Sequence, residues 1–389
     1  MNLRYRHTVL ALLMGAFFSV MGARLILSPL VPAVMDTYGV TKGTVGIAMT
    51  GMWAAYGLCQ FPGGVLGDRF GERRMLLAGI ATTLAGGVLV ALSPSFPAFA
   101  LAAVLVGAGS GFYFPVAVAL LTRLFENTGQ ALSFHVSGGN VSGLVTPLIA
   151  AYVGVRYGWR WAILVGAGLV LTMLLLCGWQ IRPTGARREE SVRESFAPGR
   201  ALDLLTRPSI AYTTLLSILL GFVFQAVLSF FPTFLIEFHG FSTVRASSVF
   251  STIFVIIVLL LPLLGRLSDA RSPDLALAVS TAALLAGIAL TLVRGPDLFV
   301  LVGAGLIGVG TTWGGVIGAR FMEHLSEAEQ ATGYGLVRSV YVVLASTGNV
   351  LTGTIADVAG WASAFELLAA LLAFALVLLA VNRAFSLDL

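Results

Sequence analysis

In MGARLILSPLVP, residues 21–32, one cation interrupts a run otherwise suited to hydrocarbon: Arg24. Its guanidinium is planar, stays charged at accessible pH and presents a fork of N–H donors that matches a carboxylate. Near the middle of a lipid-spanning helix an arginine costs about 2.5–3.5 kcal/mol on insertion scales, so it normally faces a cavity and has work to do there. Arg24 stands about 17 residues, roughly 25 Å of helix, beyond the start of its run, which is past the midplane. The competing reading is that the side chain snorkels to the outer interface of a tilted helix.

All eighteen acids, from Asp36 to Asp388, fall in loops, tails or the ends of apolar runs, so no midspan carboxylate is at hand to neutralise Arg24. The expected counter-charge is then an anionic substrate. Arg338, some seven residues into a later run, adds positive charge, and substrate binding, a salt bridge and a gating role all stay open for it. His135 titrates near neutrality and is the residue suited to carrying a proton, against the plainer reading of a packed hydrogen-bonding ring. A coupled proton, a coupled sodium ion and exchange of one anion for another all stay open.

The elements that must position these residues are membrane helices. Hydrophobic residues make up 58% of the 389 and charged ones only 11%, and the mean hydropathy is +0.94. Together these exclude an ordinary water-soluble domain. Crossing a core of about 30 Å takes roughly 20 helical residues. Twelve runs meet that length, at 8–35, 44–66, 75–93, 97–121, 130–154, 160–180, 209–234, 245–265, 275–293, 297–319, 331–356 and 361–381. Barrel-type alternation is absent, so the fold class is an all-α membrane protein.

Charge sets the orientation. Lys42, Arg156, Arg160, Arg245 and Arg294 lie in segments on one side and Arg24 and Arg338 within spans, while the other Arg residues share the side of the N-terminus. That asymmetry puts both termini in the cytoplasm and makes the sequence pI of about 9.5 a topology signal, not a sign of nucleic-acid binding. Cys59 and Cys177 fall inside spans, so no disulfide framework is implied. The first run is long and lacks a small-residue cleavage pattern, so it reads as a helix and not a secretory signal.

The polar stretch from Arg182 to Arg207 divides the chain into an N-terminal six-helix half, 1–181, a cytoplasmic linker, 182–208, and a C-terminal six-helix half, 209–389. Internal symmetry supports the division. Gly64 and Asp68 recur as Gly265 and Asp269, and Gly107 and Gly109 as Gly308 and Gly310, all displaced by 201 residues; Gly158-Trp159 recurs as Gly360-Trp361. Paired six-helix halves are the sequence trace of a transporter built from repeats, with substrate bound near the midplane. The glycine runs at 107–111 and 303–310 sit inside spans and not at strand-to-helix turns, so they read as close helix packing and not as a nucleotide fingerprint.

Between the second and third spans, Gly64-Val-Leu-Gly67-Asp68-Arg69-Phe-Gly71-Glu72-Arg73-Arg74 resembles the loop signature of the major facilitator superfamily, with a degenerate copy at Gly265, Asp269 and Arg271. The resemblance covers the whole chain, and Glu72 departs from the basic or neutral residue usual there. It implies two pseudo-symmetric halves working by alternating access, with the loop motif latching their cytoplasmic side; topology and folding alone are the blander role. Helix order in that family points to Tyr113, Gln225, Trp313, Asn140 and Asn349 as cavity candidates, with Gln225 the repeat counterpart of Arg24. Tyr113 and Trp313 lead because small glycines precede them and leave room for a ligand.

The stretch from Arg24 to Pro32, followed by Tyr56-Gly-Leu-Cys-Gln60-Phe-Pro62, is similar to the anion:cation symporter branch, and arginines on spans 1 and 11 resemble the oxalate:formate type of carboxylate exchanger. Ser110 stands where the symporter branch often has an acid. Gly139 to Pro147 is similar to an antiporter motif, although Ala150-Ala151 replace its usual glycines.

The resulting expectation is a secondary active transporter of a small organic anion, a carboxylate in the first instance, working as symporter or exchanger. Two alternatives stand beside it. One is a proton-coupled drug or cation exporter of the same fold; the other is a non-transporting membrane receptor or assembly factor. The chain is expected to be no enzyme, to need no cofactor or metal, and to bind no nucleic acid. It is expected to work as a monomer in the lipid bilayer, as a multi-pass protein of a prokaryotic inner membrane.

Overall fold

The computed structural model describes residues 3–185, 203–270, 272–326, 330–385 and 387, except for the side chains of 3, 261–270 and 330–332. Most of the expected linker, together with Arg271 and the side chains of Gly265 and Asp269, therefore lies outside the described residues. Those described form helices and short connections with no strand. The helices are α1 (Leu3–Leu25), α2 (Val31–Tyr38), α3 (Lys42–Phe70), α4 (Glu72–Leu92), α5 (Phe96–Leu124), α6 (Thr128–Tyr157) and α7 (Trp159–Gln180). After the linker come α8 (Pro208–His239), α9 (Thr243–Ala270), α10 (Pro273–Leu292), α11 (Asp297–Gly310), α12 (Trp313–His324), α13 (Gln330–Val358) and α14 (Gly360–Ala384).

Among the described residues eleven segments, taking α1 with α2 and α11 with α12, are long and apolar enough to cross a membrane. The twelfth expected span, 44–66, lies on α3. That helix has 29 residues, ample length, but its glycines together with Trp53, Tyr56, Gln60 and Pro62 dilute its apolar character.

Two spans are broken. Between α1 and α2 a 3-10 turn, Ser28–Leu30, replaces the α-helix where Pro29 and Pro32 lack the N–H that a continuous helix needs. Between α11 and α12 the break at 311–312 is sealed by side chains, with the Thr311 and Thr312 hydroxyls donating to the carbonyls of Gly308 and Val309. Broken helices are tolerated at membrane depth only where protein or a cavity satisfies the freed backbone.

The described residues fall into two compact units: Met1–Val40 with Ile47–Glu194, and Thr41–Gly46 with Ser195–Leu389. In the first, Val9, Leu13, Val20, Ile80, Tyr113 and Val116 belong to one apolar core. In the second, Phe231, Phe234, Phe250 and Phe365 form a ring stack, with the Phe234 and Phe365 centroids 3.8 Å apart. Asp357 in this unit caps the first turn of α3, accepting from the backbone N–H of Lys42 at 3.1 Å and of Gly43 at 2.8 Å.

The repeated Gly-Trp pairs mark equivalent turns. Gly158 and Gly360 adopt φ of +94° and +83° before α7 and at the head of α14, a region that favours glycine. The indoles that follow are both tied down: Trp159 donates to the Thr37 hydroxyl and Trp361 to the Glu237 carboxylate, each at 2.9 Å.

Candidate functional site

Arg24 occupies the last turn of α1, immediately before the proline-induced break. A cation is favoured there because the carbonyl end of a helix carries partial negative charge. Its side chain is only 3% exposed, so it turns into the protein and does not run along a lipid-facing surface to the interface. Its Cζ lies 4.2 Å from the ring centroid of Tyr56 and 4.8 Å from that of Trp53. The two rings meet edge to face at 89° with centroids 5.8 Å apart, and Nη2 lies 3.0 Å from Met21 Sδ.

Trp53 and Tyr56 are three residues apart on α3 and so share one face. A desolvated cation–π contact is worth about 2 kcal/mol or more. Two of them therefore offset much of the cost of holding the guanidinium away from water. They do so without adding a formal negative charge. Gln60 continues the same stripe one turn on and is 6% exposed. Neither its Nε2 nor the Nε1 of Trp53 has a hydrogen-bond partner among the described residues.

Trp53 was not singled out by the sequence reading, although the signal was present: Trp, Tyr and Gln at 53, 56 and 60 recur at helical spacing in an otherwise small and apolar segment.

Tyr113 and His135 form a separate cluster. The Tyr113 hydroxyl donates to the Leu13 carbonyl at 2.8 Å, and His135 Nδ1 lies 3.1 Å from the same oxygen. Phe17 stacks on Tyr113 at 6.3 Å and lies 4.8 Å from the His135 ring. Both polar residues are fully buried, and Leu13 precedes Arg24 by eleven residues, about 16 Å along α1. The structure thus does not bring Tyr113 to Arg24, and the expected space beside it is filled. A Cβ at Gly109 would meet Thr83, and one at Gly111 the Tyr56 carbonyl. These glycines serve close helix approach and leave no room for a ligand.

The antiporter-like stretch has the same explanation. A Cβ at Gly138 would meet the Met14 carbonyl, and one at Gly139 the Phe17 ring, so this part of α6 is shaped to pack on α1. Asn140 is half-buried on the same helix. The Ser110 hydroxyl is spent on the Val106 carbonyl at 2.7 Å.

In the second unit, buried Gln225 on α8 donates to the Val342 carbonyl on α13 at 3.2 Å. Trp313, first residue of α12, is buried and meets the rings of Phe224 and Tyr341 edge-on. Gln225 and Trp313 thus converge on the 341–342 stretch of α13, and half-buried Arg338 is one turn before it. Asn349 is fully buried and donates to the Ser346 carbonyl of its own helix at 2.9 Å, while its Oδ1 has no hydrogen-bond partner among the described residues.

The loop motif is built as a corner. Gly71 adopts φ +90° where a Cβ would strike the Thr184 carbonyl, and Gly67 lets α3 approach Val116 of α5. Arg73 reaches the Gly178 carbonyl near the end of α7, and its backbone N–H donates to the Thr184 hydroxyl. Asp68 and Gly64 are half-buried, while Arg69 and Arg74 are exposed.

Glu72 is buried in the first turn of α4 and pairs with Arg123 of α5 at 3.3 Å. The second unit repeats the arrangement with Asp274 at the start of α10 and Arg320 of α12. Arg320, one of the arginines that the charge asymmetry assigns to the side of the N-terminus, is buried, with its Nε donating to the Thr213 hydroxyl at 3.0 Å. A C-terminal extension of the helix beyond the apolar run carries it inward, which composition alone does not reveal.

The Membrane sensor protein UhpC of Salmonella typhimurium is 29% identical over 153 residues, 39% of this chain and 35% of that protein. The Probable sulfoacetate transporter SauU of Cupriavidus necator is 26% identical over 185 residues, 45% of this chain and 41% of that protein. The matched stretches thus span less than half the length of these two relatives. A solved structure of the nucleoside transporter NupG superimposes with a TM-score of 0.82 at 14% identity, covering 96% of this chain and 99% of that one, which speaks to fold. The family model for the Major Facilitator Superfamily matches residues 12–321. The chain therefore belongs to the Major Facilitator Superfamily, as a multi-pass integral membrane protein of a transporter family and not an enzyme.

Proposed function

We propose that this protein is a secondary active transporter of a small organic anion, with a carboxylate as the first class to test, and that Arg24 anchors the anion. The observation that carries the reading is the buried guanidinium at the break of the first span, held by two ring faces that add no formal charge. Carboxylate binding would use the N–H groups in the guanidinium plane. The likeness to a protein named as a sulfoacetate transporter supports an anionic cargo.

In this reading the halves 1–181 and 209–389 alternate about the bound anion, joined by a cytoplasmic linker at 182–208, with both termini cytoplasmic. The corner at Gly64, Gly67, Asp68 and Gly71 contributes the cytoplasmic latch, together with its degenerate copy at Gly265, Asp269 and Arg271. Coupling is by symport or exchange, and buried His135, hydrogen-bonded within the core, is the weaker candidate for carrying a proton. Export of a lipophilic cation fits poorly with a buried guanidinium at the site.

The test is counterflow in proteoliposomes across mono- and dicarboxylates, sulfonates, phosphate esters and lipophilic cations, for wild type and Arg24→Ala. Flux of one anion class that Arg24→Ala abolishes supports the reading; flux of cations, or anion flux that survives the substitution, contradicts it. A second reading, a sensor that binds without transporting, is favoured by the relative named as a membrane sensor. Its signature is anion binding in the absence of any counterflow.

A further inference from the structure

We propose that Gln60, helped by Trp53, reads a second, uncharged acceptor group on the anion anchored at Arg24, so that the substrate is a short keto or hydroxy acid and not a plain alkyl acid. The inference rests on the anion-transporter reading above and adds the substrate class. Its starting point is the stripe Trp53, Tyr56 and Gln60 on one face of α3. Arg24 sits over the first two rings at 4.8 and 4.2 Å. At 1.5 Å per residue Gln60 lies about 6 Å beyond Tyr56 along the helix.

Trp53, which touches Arg24, and Gln60, farther along the same stripe, share one property. Trp53 Nε1 and Gln60 Nε2 are buried N–H donors with no hydrogen-bond partner among the described residues. A buried donor left unsatisfied costs stability, and native proteins keep few of them without a reason. The reason here is a ligand, and since both groups are donors, the ligand must present acceptors to them. One set of acceptor oxygens belongs to the anionic head beside Arg24 and Trp53. The other lies about one helical turn away, opposite Gln60.

Charge decides what that second acceptor is. Arg24 is the only buried cation among the described residues of the first unit. A second carboxylate beside Gln60 would have an amide N–H but no buried cation from that unit to offset its desolvation. A carbonyl or hydroxyl oxygen carries no such penalty. Its hydrogen bond to Gln60 is worth about a tenfold gain in affinity.

The experiment uses the purified full chain and two matched acids, hexanoate and 5-oxohexanoate, which differ by one ketone oxygen. Dissociation constants are measured by calorimetry for wild type, Gln60→Leu and Arg24→Met, and the ligand-free Tm of each is recorded. Wild type is expected to favour 5-oxohexanoate by about tenfold, and Gln60→Leu to bring that ratio to about one. Gln60→Leu is also expected to raise the ligand-free Tm, because leucine fills the same space without a donor to satisfy. A purely structural glutamine would do the reverse.

A ratio that survives in Gln60→Leu overturns the proposal, as does a fall in its ligand-free Tm. Equal affinity of wild type for the two acids, including no measurable binding of either, overturns it as well. The two readings fail separately. Loss of all binding in Arg24→Met with an unchanged ratio in Gln60→Leu removes only the role of Gln60, whereas wild-type binding in Arg24→Met removes Arg24 as the anchor.

Discussion

Replacing Glu72 by arginine, where the loop motif usually has a basic or neutral residue, is predicted to destabilise this chain strongly. Glu72 is 1% exposed, stands in the first turn of α4 and lies 3.3 Å from Arg123. The substitution first removes charge-assisted hydrogen bonding worth about 1.5–3 kcal/mol. Reversing the sign at a helix N-terminus costs a further amount of about 1 kcal/mol, a lost attraction plus a gained repulsion. Two guanidinium groups about 4 Å apart repel by about 4 kcal/mol at an effective dielectric constant of 20. Because Arg123 is nearly half exposed, solvent screening and side-chain movement remove most of that, leaving about 1 kcal/mol.

The total is about 4 kcal/mol, a large share of a typical folding free energy of about 5–15 kcal/mol. For a chain of this size it corresponds to a fall in Tm of about 8 °C, taking about 2 °C per kcal/mol. The assay is the midpoint of heat-induced loss of the monodisperse peak in size-exclusion chromatography, in one detergent. Glu72→Gln should lose about a third as much. The swapped pair Glu72→Arg with Arg123→Glu should recover part of the loss, since attraction returns while the helix-end term stays reversed. A Glu72→Arg protein within about 2 °C of wild type would refute the reasoning.

Three further outcomes follow from the geometry. Tyr113→Phe deletes the hydroxyl that donates to Leu13 and should lower Tm by about 2 °C, about 1 kcal/mol, with anion affinity unchanged by calorimetry; a tenfold loss of affinity would return Tyr113 to the binding site. Gly107→Leu places a side chain where even a Cβ meets the Met52 carbonyl and should abolish folded yield, whereas Gly305→Ala, with nothing near that position, should be silent. Asp68→Asn should slow counterflow several-fold at undiminished expression; an unchanged rate would leave the corner with a folding role only.

Much of this fold is legible in the sequence because a membrane enforces a simple rule: backbone polar groups must be satisfied within each segment. Long apolar runs, arginine asymmetry and glycine pairs 201 or 202 residues apart make the plan legible, and Gly158 and Gly360 form equivalent turns. The break near Ser28 is partly legible, through Pro29 and Pro32, whereas the break near Thr311 is not, since the repeat counterpart of its span, α5, runs unbroken from Phe96 to Leu124.

Side-chain environment is the part that sequence hides. Glycines near Tyr113 read equally well as ligand space or as close packing, and only the positions of Thr83 and Tyr56 decide for packing. Arg320 and Arg123 looked like ordinary cytoplasmic arginines, because a helix that outruns its apolar segment leaves no mark in composition. Arg24 was legible as an anomaly and Tyr56 stood in the symporter-like stretch, but Trp53 was passed over, since it resembles the packing aromatics common throughout membrane helices.

The most direct test of the central claim is the affinity of purified wild type and Arg24→Met for a panel of short organic anions, with Tm recorded on the same samples. Removing a buried cation relieves about 2.5–3.5 kcal/mol of insertion cost and forfeits cation–π contacts of similar total size, so the fold should survive with Tm little changed. Two charge-assisted hydrogen bonds to a carboxylate are worth about 3 kcal/mol at the least, so affinity for the bound anion should fall at least about 100-fold. A folded Arg24→Met protein that binds the same anion within threefold of wild type would contradict the account.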